Sequence, residues 1–214
     1  MLEPFRTVLS AHRIILASAS PRRREILANA LPNFEIEIKP SNAEENLDKA
    51  SYRSNPWKYA EDTAELKATA IMKEINFQEN AIVIGTDTMV TLNSVIYEKP
   101  RDKNHAMEML KLTSGQTQKV YSGVCILRGS KDKIQFHECT EVTFDELSHD
   151  VIEAYVDSGE PMDKAGGYGI QAQGGTLVKS IQGDYFNVVG FPLYQFCKQM
   201  GKLLTSTNII ASNN

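Results

Sequence analysis

Cations are not in excess in this chain of 214 residues: 23 Lys and Arg stand against 27 Asp and Glu, a formal net charge of −4. A protein that grips a nucleic-acid backbone needs a surplus of Lys and Arg, so a polymer of phosphates is excluded as the main partner. Cysteine is scarce too. Cys125, Cys139 and Cys197 lie far apart, an odd number with neither metal-ligand spacing nor the look of a disulfide framework. His12, His105, His137 and His149 form no HxxxH or HExxH pair, which leaves zinc with little support. No apolar run approaches the ~18 residues that span a bilayer. With no secretory leader either, the expectation is a soluble protein of the cytoplasm, with no membrane partner. A GxxxxGK(S/T) loop, a GxGxxG after a strand and a GxSxG elbow are all missing, so a P-loop, a Rossmann site and a serine-hydrolase elbow are not indicated. No repeat, linker or low-complexity tract divides the sequence. The expectation is one domain over 1–214, with a core from about 12 to 204 and frayed termini.

What is present begins with Ser18-Ala19-Ser20-Pro21-Arg22-Arg23-Arg24-Glu25-Ile26-Leu27. The apolar Ile14–Ala17 before it reads as a short buried strand. Ser20 stands at a helix N-cap and Pro21 at the first helical position. A helix N-terminus carries partial positive charge and favours acids there by roughly 0.3–1 kcal/mol each. Three arginines in that turn make sense when an anion such as a phosphate sits among them. A solvated basic turn paired with Glu25 is the plainer alternative.

Further along, Phe34–Ile38 alternates as a half-buried strand, and a polar loop with Glu44, Glu45 and Asp48 follows from Lys39 to Asn55. Asn55-Pro56 starts a helix whose apolar face is Ala60, Ala64, Ala68, Ile71 and Ile75, with Lys67 off that stripe. Ala81–Gly85 reads as a central buried strand with Thr86-Asp87-Thr88 at its end. Val90–Leu92, Asn93-Ser94 and Val95–Tyr97 read as a hairpin. Asp102 caps a helix bearing Ala106, Met109, Leu110 and Leu112, which Ser114-Gly115 stops. Two long strands, about 119–127 and 133–144, precede a helix capped by Ser148 and ended by Gly159. A glycine-dense segment runs from Gly159 to Gly175, where backbone can approach a ligand. Strands near 177–181 and 187–189 then lead to a last helix from Pro192 to about Leu204, with a frayed tail from Thr205. Alternating strands and helices followed by a hairpin-rich middle predict an α/β fold: a mixed sheet in two lobes.

Asp87 is the leading carboxylate. At the end of a hydrophobic strand, between two threonines, it is either a structural cap or a metal ligand and base. Glu45 and Glu98 are weaker candidates for a hard divalent cation, which takes one or two carboxylates plus substrate phosphates. Lys67, Lys99 and Lys164 each read singly as surface lysines. With Arg22 and Arg23 they can neutralise a triphosphate, and Ser18 and Ser20 add hydroxyl donors at the strand-to-helix turn.

Four segments in order complete the picture: Leu16-Ala17-Ser18-Ala19-Ser20-Pro21-Arg22-Arg23, Ile84-Gly85-Thr86-Asp87-Thr88, Glu98-Lys99-Pro100-Arg101-Asp102, and Gly159 through Gln171 with Asp163-Lys164-Ala165-Gly166-Gly167-Tyr168-Gly169-Ile170-Gln171 at its end. Together they closely resemble the Maf family of nucleoside triphosphate pyrophosphatases, over about Ile14 to Leu204. The resemblance implies a fold similar to the inosine triphosphate pyrophosphatases: a mixed, elongated sheet flanked by helices, with a central cleft between two lobes. It implies hydrolysis of a nucleoside triphosphate to the monophosphate and pyrophosphate, with Mg²⁺ or Mn²⁺. The last segment is similar to the branch acting on dTTP and UTP, and on some modified pyrimidine nucleotides, as nucleotide-pool house-cleaning. Carried over by residue, Asp87 matches the proton acceptor, and Arg22, Thr88 and Gln171 the specificity positions. Ser18, Arg23, Glu45, Lys67, Lys99 and Lys164 match residues of the cleft, Glu45 and Asp87 being the metal candidates. A homodimer is compatible with the resemblance alone. The alternatives are the same reaction on a purine or damaged nucleotide, and a nucleotide-binding regulator of cell division with vestigial hydrolysis. Two positions depart from the pattern: Gln118, where many relatives carry histidine, and Ala172-Gln173, where relatives usually have glycine.

Overall fold

The computed structural model describes residues 2–211, with side chains through Thr205. Among them, 14 helices and strands matter here. They are α1 (Arg6–Ser10), β1 (Arg13–Leu16), α2 (Pro21–Ala30), β2 (Ile36–Ile38), α3 (Pro56–Glu74), β3 (Ala81–Leu92), β4 (Val95–Tyr97), α4 (Lys103–Thr113), β5 (Thr117–Arg128), β6 (Asp132–Phe144), α5 (His149–Asp157), β7 (Val178–Gln182), α6 (Tyr185–Val189) and α7 (Leu193–Ala211). The strands form one seven-stranded mixed sheet in the order β2-β1-β3-β5-β6-β7, with β4 paired to β3. β1 runs parallel to β2 and β3, and the remaining pairs are antiparallel.

Successive strand residues point to opposite faces, and both faces of the first lobe are covered. Ile14, Leu16, Ile82 and Ile84 pack with Leu27 of α2 and with Phe196 and Met200 of α7. Ile15, Ala17 and Val83 pack on Ala64, Ala68 and Ile71 of α3. Strands buried on both sides read as continuous apolar runs, which is why β1 and the start of β3 are legible. In the second lobe Val90, Val120, Val142 and Phe144 pack on Ala106 and Leu110 of α4 and Ile152 and Val156 of α5.

Several expectations hold in detail. Pro21 to Ala30 is a helix with Ser20 at its N-cap. Asp102 Oδ1 accepts from His105 N at 2.8 Å, and Ser148 Oγ from Val151 N at 3.3 Å. Asn93 and Ser94 take φ of 51° and 63°, the backbone of a tight hairpin turn.

Others do not. β3 does not end at Gly85: it runs on to Leu92, with Thr86, Asp87 and Thr88 paired to Val124, Gly123 and Ser122 of β5. Asp87 is therefore mid-strand. Residues 187–189 are helical, because Asp184 Oδ1 caps α6 through Phe186 N at 2.8 Å and Asn187 anchors it from within. Asn187 accepts from Ser122 N and donates to Val120 O and Thr140 Oγ1 while fully buried. Leu112 points outward, 55% exposed, instead of joining the face of α4. α7 runs on to Ala211, past the expected end near Leu204; residues 212–214 lie outside the described residues. At the other end, Leu2 and Leu9 are buried in the first core. Among the described residues no helix is long and apolar enough to cross a membrane.

Candidate active site

The site is a break in strand pairing. On one edge of β3, residues 81–84 pair with β1 and residues 90–92 pair with β4. Residues 85–89 between them have no strand partner on that edge among the described residues. β1 ends at Leu16, and its chain turns through Ser18 and Ser20 into α2. Such a turn at the carboxyl end of a parallel strand is where open α/β sheets bind ligands. Side chains from both faces of the sheet meet around the gap, in a cleft of about 790 Å³.

On the α3 face, Lys67 Nζ lies 2.8 Å from Asp87 Oδ1 and 3.1 Å from Glu45 Oε1. Lys67 is thus a cleft lysine, its side chain only 13% exposed. Tyr59 stands two helical turns earlier on α3 and donates to Glu98 Oε1 at 3.0 Å, while Lys49 pairs with Glu98 Oε2 at 2.6 Å. Burial pushes the Asp87 carboxyl above the usual range; the charges of Lys67 and Arg23 and the Lys67 hydrogen bond pull against it without cancelling it. Burial likewise raises the Tyr59 hydroxyl, which also donates to a carboxylate.

On the opposite face Arg23 takes the place of the missing strand. Its Nη1 donates to Thr86 O at 3.3 Å, the carbonyl that continues the row after Ile84 O, which itself accepts from Ala17 N. The guanidinium also reaches Ser18 Oγ at 3.1 Å, Thr88 Oγ1 at 3.0 Å and Gly190 O at 3.0 Å. Most of its donors are engaged within the protein, and burial lowers its pKa against the pull of Asp87. Thr88 Oγ1 further contacts Ser122 Oγ at 2.8 Å, tying the floor of the cleft to the buried Asn187.

The glycine-dense segment forms the far wall. Arg22 Nη1 reaches across to Asp163 Oδ2 at 3.6 Å, and Lys164 Nζ holds Asp163 Oδ1 at 2.6 Å. Burial would raise the Asp163 carboxyl, but its hydrogen bond and ion pair with Lys164 and the charge of Arg22 hold it below the usual range. Tyr168, Ile170, Gln171, Ala172, Val188 and Val189 line this end, which is more apolar than the end near Lys67.

The structure brings together Arg22, Arg23, Glu45, Lys67, Asp87, Thr88, Lys99, Lys164 and Gln171 as cleft-lining residues. Ser18 stands apart: it is buried behind Arg23 and does not line the cleft, although Ser20 does. Ser20 Oγ makes no cap bond to α2, so its hydroxyl is left for the cleft. Lys49, Tyr59, Glu160, Asp163 and Tyr168 also line the cleft; the last three stand in the sequence reading only as members of a motif, and the first two have no place in it. For Tyr59 the signal was there, since residues 59 and 67 share a helix face. Gln118 is buried below Tyr168 and faces its hydroxyl, but neither group finds a well-formed hydrogen bond. Ala172 sits at φ −123°, outside the left-handed region that favours glycine, and its methyl adds to the wall of the cleft.

Among the described residues no three His, Cys, Asp or Glu side chains gather as a metal cage. Asp87 and Glu45 converge on one point, however, marked by the Lys67 ammonium. Two carboxylates with room for phosphate oxygens suit a hard divalent cation.

A family model described as a Maf-like protein matches residues 13–203. A protein of Clostridium perfringens (strain SM101 / Type A) named dTTP/UTP pyrophosphatase is 43% identical over 189 residues, covering 88% of this chain and 95% of its own. A human protein named probable bifunctional dTTP/UTP pyrophosphatase/methyltransferase protein is 50% identical over 201 residues, 89% of this chain but 32% of that longer one. Among solved structures, a HAM1 protein from Coxiella burnetii superposes with a TM-score of 0.52 at 14% identity, over 89% of this chain and 99% of that one. The last likeness shows the fold alone, the elongated mixed sheet with a cleft; the first two go further, and this chain belongs to the Maf family.

Proposed function

We propose that this chain hydrolyses dTTP and UTP to the monophosphate and pyrophosphate, removing them or modified pyrimidine relatives from the nucleotide pool. The observation that carries the reading is the half-buried Lys67–Asp87 pair where β3 lacks a strand partner on one edge, inside a cleft ringed by cations. The names of the Clostridium and human relatives support the same substrates. Three free cysteines suit a reducing compartment such as the cytoplasm.

Asp87 Oδ1 is held by Lys67, and Oδ2 accepts no hydrogen bond among the described residues. Oδ2 takes a proton from water as the water oxygen bonds to the α-phosphorus. The bond from that phosphorus to the bridging oxygen breaks, and pyrophosphate leaves with the electron pair. Lys67, Lys99 and Lys164 offset the phosphate charge, and Arg22 and Ser20 add donors at the mouth of α2. Arg23 acts from behind, keeping Thr88 and the turn at Gly190 in place. Gln171 and Thr88 read the pyrimidine edge, an amide offering both donor and acceptor. A divalent cation, Mg²⁺ or Mn²⁺, would be held by Asp87 and Glu45 and would supply charge neutralisation and a more acidic water.

The direct test is pyrophosphate release from dTTP, UTP, CTP, GTP and ATP, each with Mg²⁺, with Mn²⁺ and after chelation. Selective release from dTTP and UTP that chelation removes is the expected result. Release from another nucleotide alone keeps the reaction and overturns the substrate; release from none overturns the reading.

Lys67→Met gives a pH test of the pair. Asp87 must be ionised to accept a proton, and Lys67 opposes the burial that keeps its pKa high. Without Lys67 that pKa rises further, so the acid limb of kcat/KM moves to higher pH. Activity at neutral pH should also fall roughly tenfold or more. An acid limb at the wild-type pH would separate Lys67 from Asp87.

A further inference from the structure

Gln171 lies on a loop without regular structure, yet reading a base edge requires its amide to be fixed. One carboxylate ties the backbone on either side of it. Glu160 Oε2 accepts from Gln173 N at 3.0 Å, and Oε1 from Gly174 N at 3.2 Å and Tyr155 Oη at 3.1 Å. Tyr155 Oη in turn accepts from Gly169 N at 3.0 Å. Backbone amides on both sides of Gln171 are thus tied, directly or through one hydroxyl, to the same side chain. The Glu160 carbonyl also accepts from Lys164 Nζ at 2.8 Å.

The packing leaves no slack in this arrangement. A Cβ at Gly169 would lie 3.0 Å from Glu160 Oε1, and one at Gly174 would lie 2.5 Å from Tyr155 Oη. Glycine at these two places lets the loop backbone close on the carboxylate and the hydroxyl. Tyr155 is itself seated in the second core beside Tyr168, so the pin is anchored in α5 and not in solvent.

Resting on the pyrophosphatase reading above, we propose that Glu160 is the positioning residue for base selectivity, holding the Gly169–Gly174 arc so that Gln171 faces the nucleotide. Both carboxylate oxygens of Glu160 are taken up by the loop amides and the Tyr155 hydroxyl. Loss of Glu160 acts through Gln171 and, more weakly, through Lys164.

Glu160→Gln keeps size and shape but puts an amide N–H₂ where one backbone donor needs an acceptor. Tyr155→Phe removes both bonds of its hydroxyl, from Gly169 N and to Glu160 Oε1, and leaves the carboxylate with the amides of Gln173 and Gly174. For Glu160→Gln the expected result is about a tenfold fall in the ratio of kcat/KM for dTTP over CTP, with KM rising more than kcat falls. Tyr155→Phe should shift the ratio in the same direction but less, and Gln171→Ala more. Amide hydrogen exchange at Gln173 and Gly174 should accelerate in Glu160→Gln with the thermal midpoint nearly unchanged. A purely structural role would lower the midpoint and leave the ratio alone; that outcome overturns the proposal, as does a wild-type ratio in Glu160→Gln when Gln171→Ala has lost it. A wild-type protein that releases no pyrophosphate removes the pyrophosphatase reading itself and this proposal with it, before any variant is compared.

Discussion

Asp87→Asn lowers kcat for dTTP by about 10²–10⁴-fold, the range for removing a general base, while the protein stays folded. Asparagine keeps an oxygen for Lys67 at the 2.8 Å contact, so the geometry of the pair survives. What goes is the capacity to take a proton. KM should change far less than kcat, because Asp87 takes the proton only as the water attacks, so its loss falls on the transition state and not on ground-state binding. Stability gives an independent check with a definite sign. The folded-state pKa of Asp87 is raised, so the native state holds this proton more tightly than the unfolded chain does. A raised carboxyl contributes stability below its unfolded pKa and loses it as pH rises through the folded pKa. Above its unfolded pKa the raised carboxyl is therefore a net cost to the fold, and at neutral pH the uncharged variant should melt no lower than wild type. Lowering the pH should narrow any difference. Lys67 keeps Glu45 as its counter-ion in the variant, which spares it an unpaired burial. Pyrophosphate release and thermal melts at two pH values decide the matter. Near-normal turnover would show that another group accepts the proton.

Asp87 also shows where local reading succeeds and where it stops. The residue and its neighbours stand out because a polar triplet follows an apolar run. That it lies in mid-strand, opposite Gly123, depends on β5, some 36 residues later, and on the gap between β1 and β4. No window along the chain contains that information. Helix α2, the Asn93-Ser94 hairpin and the caps at Asp102 and Ser148 are legible because their chemistry is confined to a few consecutive residues. Residues 187–189 mislead for the opposite reason: Val188 and Val189 favour a strand, but Asn187 is bonded to two other strands and the cap at Asp184 starts a helix. Lys67 read alone is a surface lysine on the polar side of α3, and only the fold shows which carboxylates that side meets. Glu160 is the extreme case. Its three acceptor bonds go to residues 155, 173 and 174, and they exist only once the glycine-rich loop has closed.

Gly85→Ala destabilises the protein by about 3 kcal/mol or more, at or above the upper end of ordinary overpacking. An ideal Cβ at Gly85 would stand 2.1 Å from Ala64 O and 2.8 Å from Ala68 N. Those atoms are backbone of α3, so no rotamer change relieves the clash; the helix itself must retreat from the sheet. A Cβ at Gly123, which pairs with Asp87 across β3 and β5, would likewise stand 2.3 Å from Ala60 O. Two glycines on adjacent strands thus let α3 lie against the bare sheet, and Lys67 reaches Asp87 because of that close approach. The retreat separates Ala64, Ala68 and Ile71 from Ile15 and Val83, and it carries Lys67 away from its partner. Against a typical total stability of about 5–15 kcal/mol, a loss of this size lowers the urea midpoint visibly. The folded fraction should also show the displaced acid limb expected of Lys67→Met. Gly159→Ala is the control: φ there is 78°, but nothing lies within 4 Å of the added carbon. Its cost is the left-handed backbone alone, about 1–2 kcal/mol, with no effect on the pH profile. If Gly85→Ala unfolds at the wild-type midpoint, α3 is not seated on that glycine, and the Lys67–Asp87 contact must be maintained by something other than the close packing of helix on sheet.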